Sequence, residues 1–372
     1  MMRGHPNRIG PALRTVVVGL VIAAACAGCG DPVLILGDQP AVFRIVVGIP
    51  GSSGTTVDSL GTASELTGPQ GLAASGDGTV YIADRRGRIV AADARGRFHV
   101  LVDHGNCTSA ACVLGQPHGI ALDQSGGLLV ADERNHRIWR LDLQTRTLTP
   151  VAGTGTVGLS PDGTPALEAR LGQPTGVVVA PDGRIIFSER SNHRVLAIQP
   201  DGTITTLAGT GSPGFSGDGG PAADARMTGP AGLAIAGSIL YIAEGGGHRV
   251  RRVDLTSGII QTVAGTGSMD FGGDGGPATQ ARLRNPLAVA VSHDGRVLYV
   301  ADTGNRRVRA VSLANGVITT FAGTGEAEFN GDLLEAGATA LGAPSALAVS
   351  PLGQFYVADA EQHVVRRTTL GF

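Results

Sequence analysis

The chain contains no lysine; all 29 of its basic residues are arginine. Schiff-base lysine chemistry and a phosphate loop closed by Gly-Lys are therefore excluded. Aromatic residues are only 4% and charged residues only 16% of the chain, which argues against a helical bundle or a coiled coil. The basic excess of a nucleic-acid binder is missing, since the formal net charge is −2. No Gly-x-Ser-x-Gly elbow is present. What the chain has in quantity is glycine, 58 of 372 residues or 15.6%, about twice the usual ~7%. Because 42% of residues are hydrophobic, the chain still commands a core. That core must be built from Val, Ile, Leu and Ala in short elements broken by many turns.

Residues 1–28 read as an export signal. Arg3, Arg8 and Arg14 precede the apolar run TVVVGLVIAAACAG at residues 15–28, a charged n-region and a short h-region. The run falls short of the ~20 residues that a spanning helix needs. It leads to Cys29 in CAGCGD, a string that resembles a bacterial lipobox. Cys29 is the expected lipidated residue, with Cys26 as the alternative, and residues 29–42 are then a linker.

Three markers recur six times in one order. The first is a proline before an aliphatic run, at Pro69, Pro117, Pro174, Pro230, Pro286 and Pro344. The second is a strand-like run ending in an acid, at Asp84, Asp132, Glu189, Glu244, Asp302 and Asp359. The third is Asn-His-Arg or a relative, followed by a further alternating run. AGTG closes four of the units. Asp-Gly and similar turns lie between the runs and predict hairpins. Each unit therefore reads as four antiparallel strands, and six units in a ring make an all-β, six-bladed β-propeller. The last unit lacks a fourth strand, whereas an orphan strand, FRIVVGIPG at residues 43–51, precedes the first. The expectation is that this N-terminal strand completes the last blade, so that the propeller spans residues 43–372. Strings such as AGTGSPGFSGDGGPAADARM and YVADTGNRRVRAV resemble NHL repeats. That resemblance implies the same fold and allows either a binding platform or an enzyme.

The proline, the acid, the Asn-His-Arg turn and the long fourth-to-first connections share one face. Five of the six connections run 22 residues, as from Gly209 to Pro230, and long loops on a rigid ring are where binding usually sits. Arg88, Arg137, Arg194, Arg249 and Arg307 form a rim that either pairs with the six acids or grips an anion. His136, His193, His248 and His363 read as structural. Asp162, Asp218, Asp274 and Asp332 read as caps of short helical turns in the long connections. Cys107 and Cys112 are expected to form a disulfide in an exported chain, with zinc shared with His104 and His118 as the alternative. In propeller amidating lyases, metal-binding histidines follow the strand-opening proline. The matching positions here are Gln70, His118, Thr175, Ala231, Leu287 and Ser345, with a single histidine and no acid. Gln70, His118, Thr175 and Ser345 are therefore candidate binding residues of the central mouth, with no cofactor or metal expected. The expected function is a noncatalytic, lipid-anchored envelope platform for a protein or glycan, working as a monomer and without nucleic acid. The alternative is a metal-dependent lyase or hydrolase resembling amidating lyases or gluconolactonases.

Overall fold

A computed structural model describes residues 41–54, 57–103 and 114–369. It contains six four-stranded antiparallel sheets arranged as blades, with the strands of the first five in sequence order from the axis outward. The fourth blade is representative, with strands Pro230–Ala236, Ile239–Glu244, Arg249–Asp254 and Ile260–Ala264. In all six blades the proline pairs with the acid, as in Pro230↔Glu244. A shift of register follows each proline. A bulge at that point re-aims the next side chain.

The core is six wedges between neighbouring blades rather than one central mass. Glycine permits the close approach at the axis. A Cβ at Gly71, Gly119, Gly176 or Gly232 would run into the carbonyl of the residue after the proline in the next blade. The next residue along is large, and Leu72, Ile120, Val177, Val289 and Leu347 pack in the wedges and line an axial space of about 60 Å³. The alternation of small and large side chains along a strand thus packs each blade closely on the next around the axis.

The ring closes as expected. Arg44–Val47 adds to the outside of the last sheet, pairing antiparallel with Val364–Thr369. The strand is shorter than the nine residues that read as extended, because the backbone turns at Gly48, where φ is +98°. Gly48 packs on the carbonyl of His363 as Gly153, Gly209 and Gly265 pack on those of His136, His193 and His248. Val-Val-Gly of the N-terminus therefore occupies the place that Leu-Ala-Gly or Val-Ala-Gly holds in other blades. Phe43, 1% exposed, anchors this strand among Phe321 and Phe355, with ring centroids 6.3 Å away in each case.

The aspartates of the long connections do not cap the short helical turns. Those turns begin at Pro165, Pro221, Pro277 and Glu335 without a side-chain cap, and each aspartate lies at least three residues upstream, out of capping reach. The side chains instead grip the outer strands of the blade that the connection enters. Asp162 accepts from the Thr206 backbone N–H at 2.9 Å, and Asp332 accepts from that of Ile45 at 2.8 Å. Asp218 and Asp274 accept from Arg251 and Arg309, each at 2.6 Å. Cys26, Cys29, His104, Cys107 and Cys112 lie outside the described residues.

Candidate binding site at the mouth of the ring

The six acids are all fully buried, and their first task is to hold the incoming chain. Each accepts backbone N–H groups from the residues just before the proline: Thr67 and Gly68 for Asp84, Gly115 and Gln116 for Asp132, Thr228 for Glu244. Burial pushes the carboxyls of Glu189, Glu244 and Asp302 up, against the pull of arginine and donor groups around them.

Arginine supplies the countercharge from two different positions. Arg88 and Arg194 are buried and pair with Asp84 and Glu189, each at 2.5 Å. In the fourth and fifth blades the partner is the arginine two residues further on. Arg251 reaches Glu244 and Arg309 reaches Asp302, both at 3.3 Å and both with fully buried side chains. The aspartates of the long connections share these two guanidinium groups. The second blade uses Asn135 instead, whose Nδ2 donates to Asp132 at 2.9 Å.

The remaining rim arginines are also committed. Arg137 donates to the carbonyl of Thr154 at 2.6 Å and Arg307 to that of Thr324 at 2.7 Å; Arg249 does the same to Thr266. These acceptors are the threonines of AGTG, so the recurring string and the recurring arginine are one device. Arg249 lies 3.8 Å over the Phe215 ring and Arg307 lies 4.0 Å over the Phe271 ring. Desolvation on packing strengthens such cation–π contacts. The rim that the sequence offered as an anion grip is thus spent on the ring's own loops and acids.

Three of the four recurring histidines clip one blade to the next, while Nδ1 of His363 is buried without a hydrogen-bond partner among the described residues. Nδ1 of His193 accepts from Gly229 N–H and Nδ1 of His248 accepts from Asn285 N–H, each at 3.1 Å; His136 accepts from Gln173 at 3.3 Å. An accepting Nδ1 requires the neutral ring with its proton on Nε2. Among the described residues no three of His, Cys, Asp and Glu converge as a metal site would require.

Of the four candidates that follow the proline, two are engaged. Thr175 donates to the Pro230 carbonyl at 3.3 Å and Ser345 to the Pro69 carbonyl at 2.6 Å, each crossing to the next blade. Gln70 and His118 line a cavity of about 420 Å³ at the proline-side mouth. No side-chain hydrogen bond holds either of them among the described residues. His118 is 8% exposed. Burial, with Arg190 and Arg85 nearby, lowers its pKa to about 4, so it is neutral at pH 7.

The same cavity is walled by Arg85, Arg134 and Arg190 and by Glu133, none of which stood out in the sequence. Arg85, Glu133 and Arg190 directly follow the buried acid, where the six units read Arg85, Glu133, Arg190, Gly245, Thr303 and Ala360, and Arg134 comes one residue later. The available signal was that irregularity: three units carry a charge at a place where the others are small or neutral. The side chains of Arg85, Arg134 and Arg190 make no hydrogen bond or ion pair among the described residues. The mouth is therefore cationic on the side of the first three blades, a correction to the neutral mouth that the positions after the proline suggested.

The lowered histidine pKa values set a pH dependence. His118, His193 and His248 are all held below the ordinary 6.5, chiefly by burial. Below pH 6.5 the unfolded chain binds protons at these sites that the folded ring does not. Their stability is thus complete above 6.5 and is lost as the pH falls. For His118 the window runs from 6.5 to about 4, a span worth about 3 kcal/mol. The buried acids with raised pKa values work in the opposite sense, so the test is a difference. The fall in Tm between pH 7 and pH 4 should be shallower in His118→Gln than in the wild type. Identical slopes would contradict it.

The NHL repeat family matches residues 114–141, which cover most of the second blade. NHL repeat-containing protein 2 of Bos taurus is 29% identical over 283 residues, 67% of this chain and 38% of that protein. The chain thus spans well under half of that relative's length. An auxiliary nutrient binding protein from Bacteroides thetaiotaomicron superposes with a TM-score of 0.65 at 16% identity, covering 90% of this chain and 78% of that one. A gluconolactonase of Xanthomonas campestris gives a TM-score of 0.55 at 16% identity, covering 92% and 99%. At such identities these likenesses show the fold alone.

Proposed function

We propose that this NHL-repeat propeller is a noncatalytic binding platform, held at the cell envelope by a lipid on Cys29, whose ligand sits in the proline-side mouth. The observation that carries the proposal is the set of uncommitted arginines there. Among the described residues the side chains of Arg85, Arg134 and Arg190 have no partner in this cavity, whereas the rim arginines are taken up by the ring's own loops and acids. A rigid ring holds them in place, which limits the ordering cost of binding. The same fold serves in a protein described as an auxiliary nutrient binding protein, which agrees with a platform but does not supply the ligand.

The test uses the purified full chain with acidic and neutral envelope glycans. Bound glycan should be recovered unchanged after long incubation. Combined replacement of Arg85, Arg134 and Arg190 by Ala should remove binding, while combined replacement of Arg137, Arg249 and Arg307 should remove it only as far as it unfolds the loops. Cys29→Ser should free the chain from the membrane fraction without altering what it binds. A new product formed from the glycan, and lost on His118→Ala, would replace the platform with an enzyme.

A further inference from the structure

The lining of the mouth narrows the ligand class, an inference that rests on the platform reading above. The charged walls carry three arginines, Arg85, Arg134 and Arg190, against one acid, Glu133. They present a net positive site in a chain whose formal charge is −2. Guanidinium groups without partners among the described residues fit a carboxylate, which they bind through paired N–H groups.

The neutral groups add a second requirement. Gln70, Gln116 and Gln173 come from three successive blades and line the same space. Gln116 donates to Glu133 at 3.2 Å, and Gln173 accepts from Ser191, which leaves further amide donors and acceptors for hydroxyl groups. His118 lies between Arg85 of the first blade and Arg190 of the third. It is more than nine-tenths buried, faces the cavity and has no partner among the described residues. Its neutral ring keeps one donor and one acceptor for a ligand in that space.

Two further features exclude other occupants. Among the described residues only Leu287 offers an apolar side chain to the mouth, enough for one C–H face but too little for an acyl chain. The axial space beneath the mouth, lined by Leu72, Ile120 and Val177 among others, holds only about 60 Å³, too little for the ligand to lie deeper. The cavity of about 420 Å³ falls within the ~300–1,000 Å³ typical of small-molecule sites.

We propose that the mouth binds an acidic sugar, a polyhydroxylated carboxylate of hexuronate size. Its carboxylate lies against Arg85 and Arg190, its hydroxyl groups face Gln70 and His118, and its C–H face lies toward Leu287. The sugar is either free or the end of an acidic polysaccharide, and both present the same chemistry.

Calorimetric titration of the full chain with galacturonate, digalacturonate, galactose, acetate and inorganic phosphate tests this. Galacturonate should bind, with galactose and acetate each at least about tenfold weaker. Arg190→Ala should cost about ten- to hundredfold, the range for a hydrogen bond to a charged group. Gln70→Ala should cost less. Arg296→Ala, whose side chain is 63% exposed and absent from the mouth, should change nothing. Tighter binding of digalacturonate than of galacturonate would assign the chain end, and equal binding the free sugar. Galactose binding as tightly as galacturonate, phosphate binding better than either acid, or an unaffected Arg190→Ala would overturn the acidic-sugar assignment. If a neutral glycan or a protein bound at the mouth and was lost with the three arginines, the assignment would fall and the platform would stand. If galacturonate bound and was converted, the platform would fall and the ligand class would stand.

Discussion

Removal of residues 43–51 should lower the thermal stability of the ring more than any single substitution. The deletion takes away Arg44–Val47, the outermost strand of the last sheet, and leaves Val364–Thr369 as an open edge. It also removes Phe43 and Val47, which are buried at 1% and 0% exposure in the wedges on either side of the last blade. Phe43→Ala alone should cost about 3–5 kcal/mol, the usual range for deleting a large buried aromatic. The deletion should exceed that and should promote association through the exposed edge. Differential scanning calorimetry of the three proteins gives the order directly. A deletion variant with wild-type Tm would show that the N-terminal strand does not close the ring.

Arg309→Ala should be the most damaging substitution of a charged residue. Its guanidinium is fully buried between Asp302, itself fully buried, and Asp274. Removing one partner of such a pair leaves an uncompensated carboxylate and costs about 3–5 kcal/mol. The contrast is Arg97, which pairs with Asp93 at a similar distance, 2.7 Å, but with a side chain 58% exposed. Arg97→Ala should cost no more than about 1 kcal/mol. Chemical denaturation of both variants separates burial from ion-pair distance as the governing quantity. Equal losses would contradict the assignment of Arg309 as the buried tie between blade and loop.

The architecture was legible because its constraints repeat. Proline lacks an N–H and starts each inner strand. The acid must pair with it and receive the backbone of the incoming loop, so both recur at every blade. Gly48 could be matched to the AGTG glycines by spacing alone, and the structure places it on the same kind of carbonyl. The arginines were less legible for a geometric reason. Arg249 and Arg251 lie two residues apart on one strand and so share a face. The repeat cannot say which of the two reaches the acid, and Arg251 does while Arg249 turns to Thr266. Asp218 read as a local cap because Asp and Gly are turn formers. Its actual partner is Arg251, 33 residues away, and local sequence carries no trace of that distance. The mouth was hardest to read because a site on the axis breaks the symmetry that reveals the fold. Arg85 and Arg190 occupy a position that the other blades fill differently, so a search for recurring residues passes over them. His118 was identified, but its neutrality depends on burial and on those same arginines.

The most direct measurement of the central claim is a crystal structure of the full chain grown with galacturonate. Density is expected in the proline-side mouth, with the carboxylate on Arg85 and Arg190, His118 within hydrogen-bond distance of a hydroxyl, and the aliphatic residues lining the axis unmoved below it. An empty mouth with the sugar held instead at the rim, against Arg137 or Arg249, would contradict it.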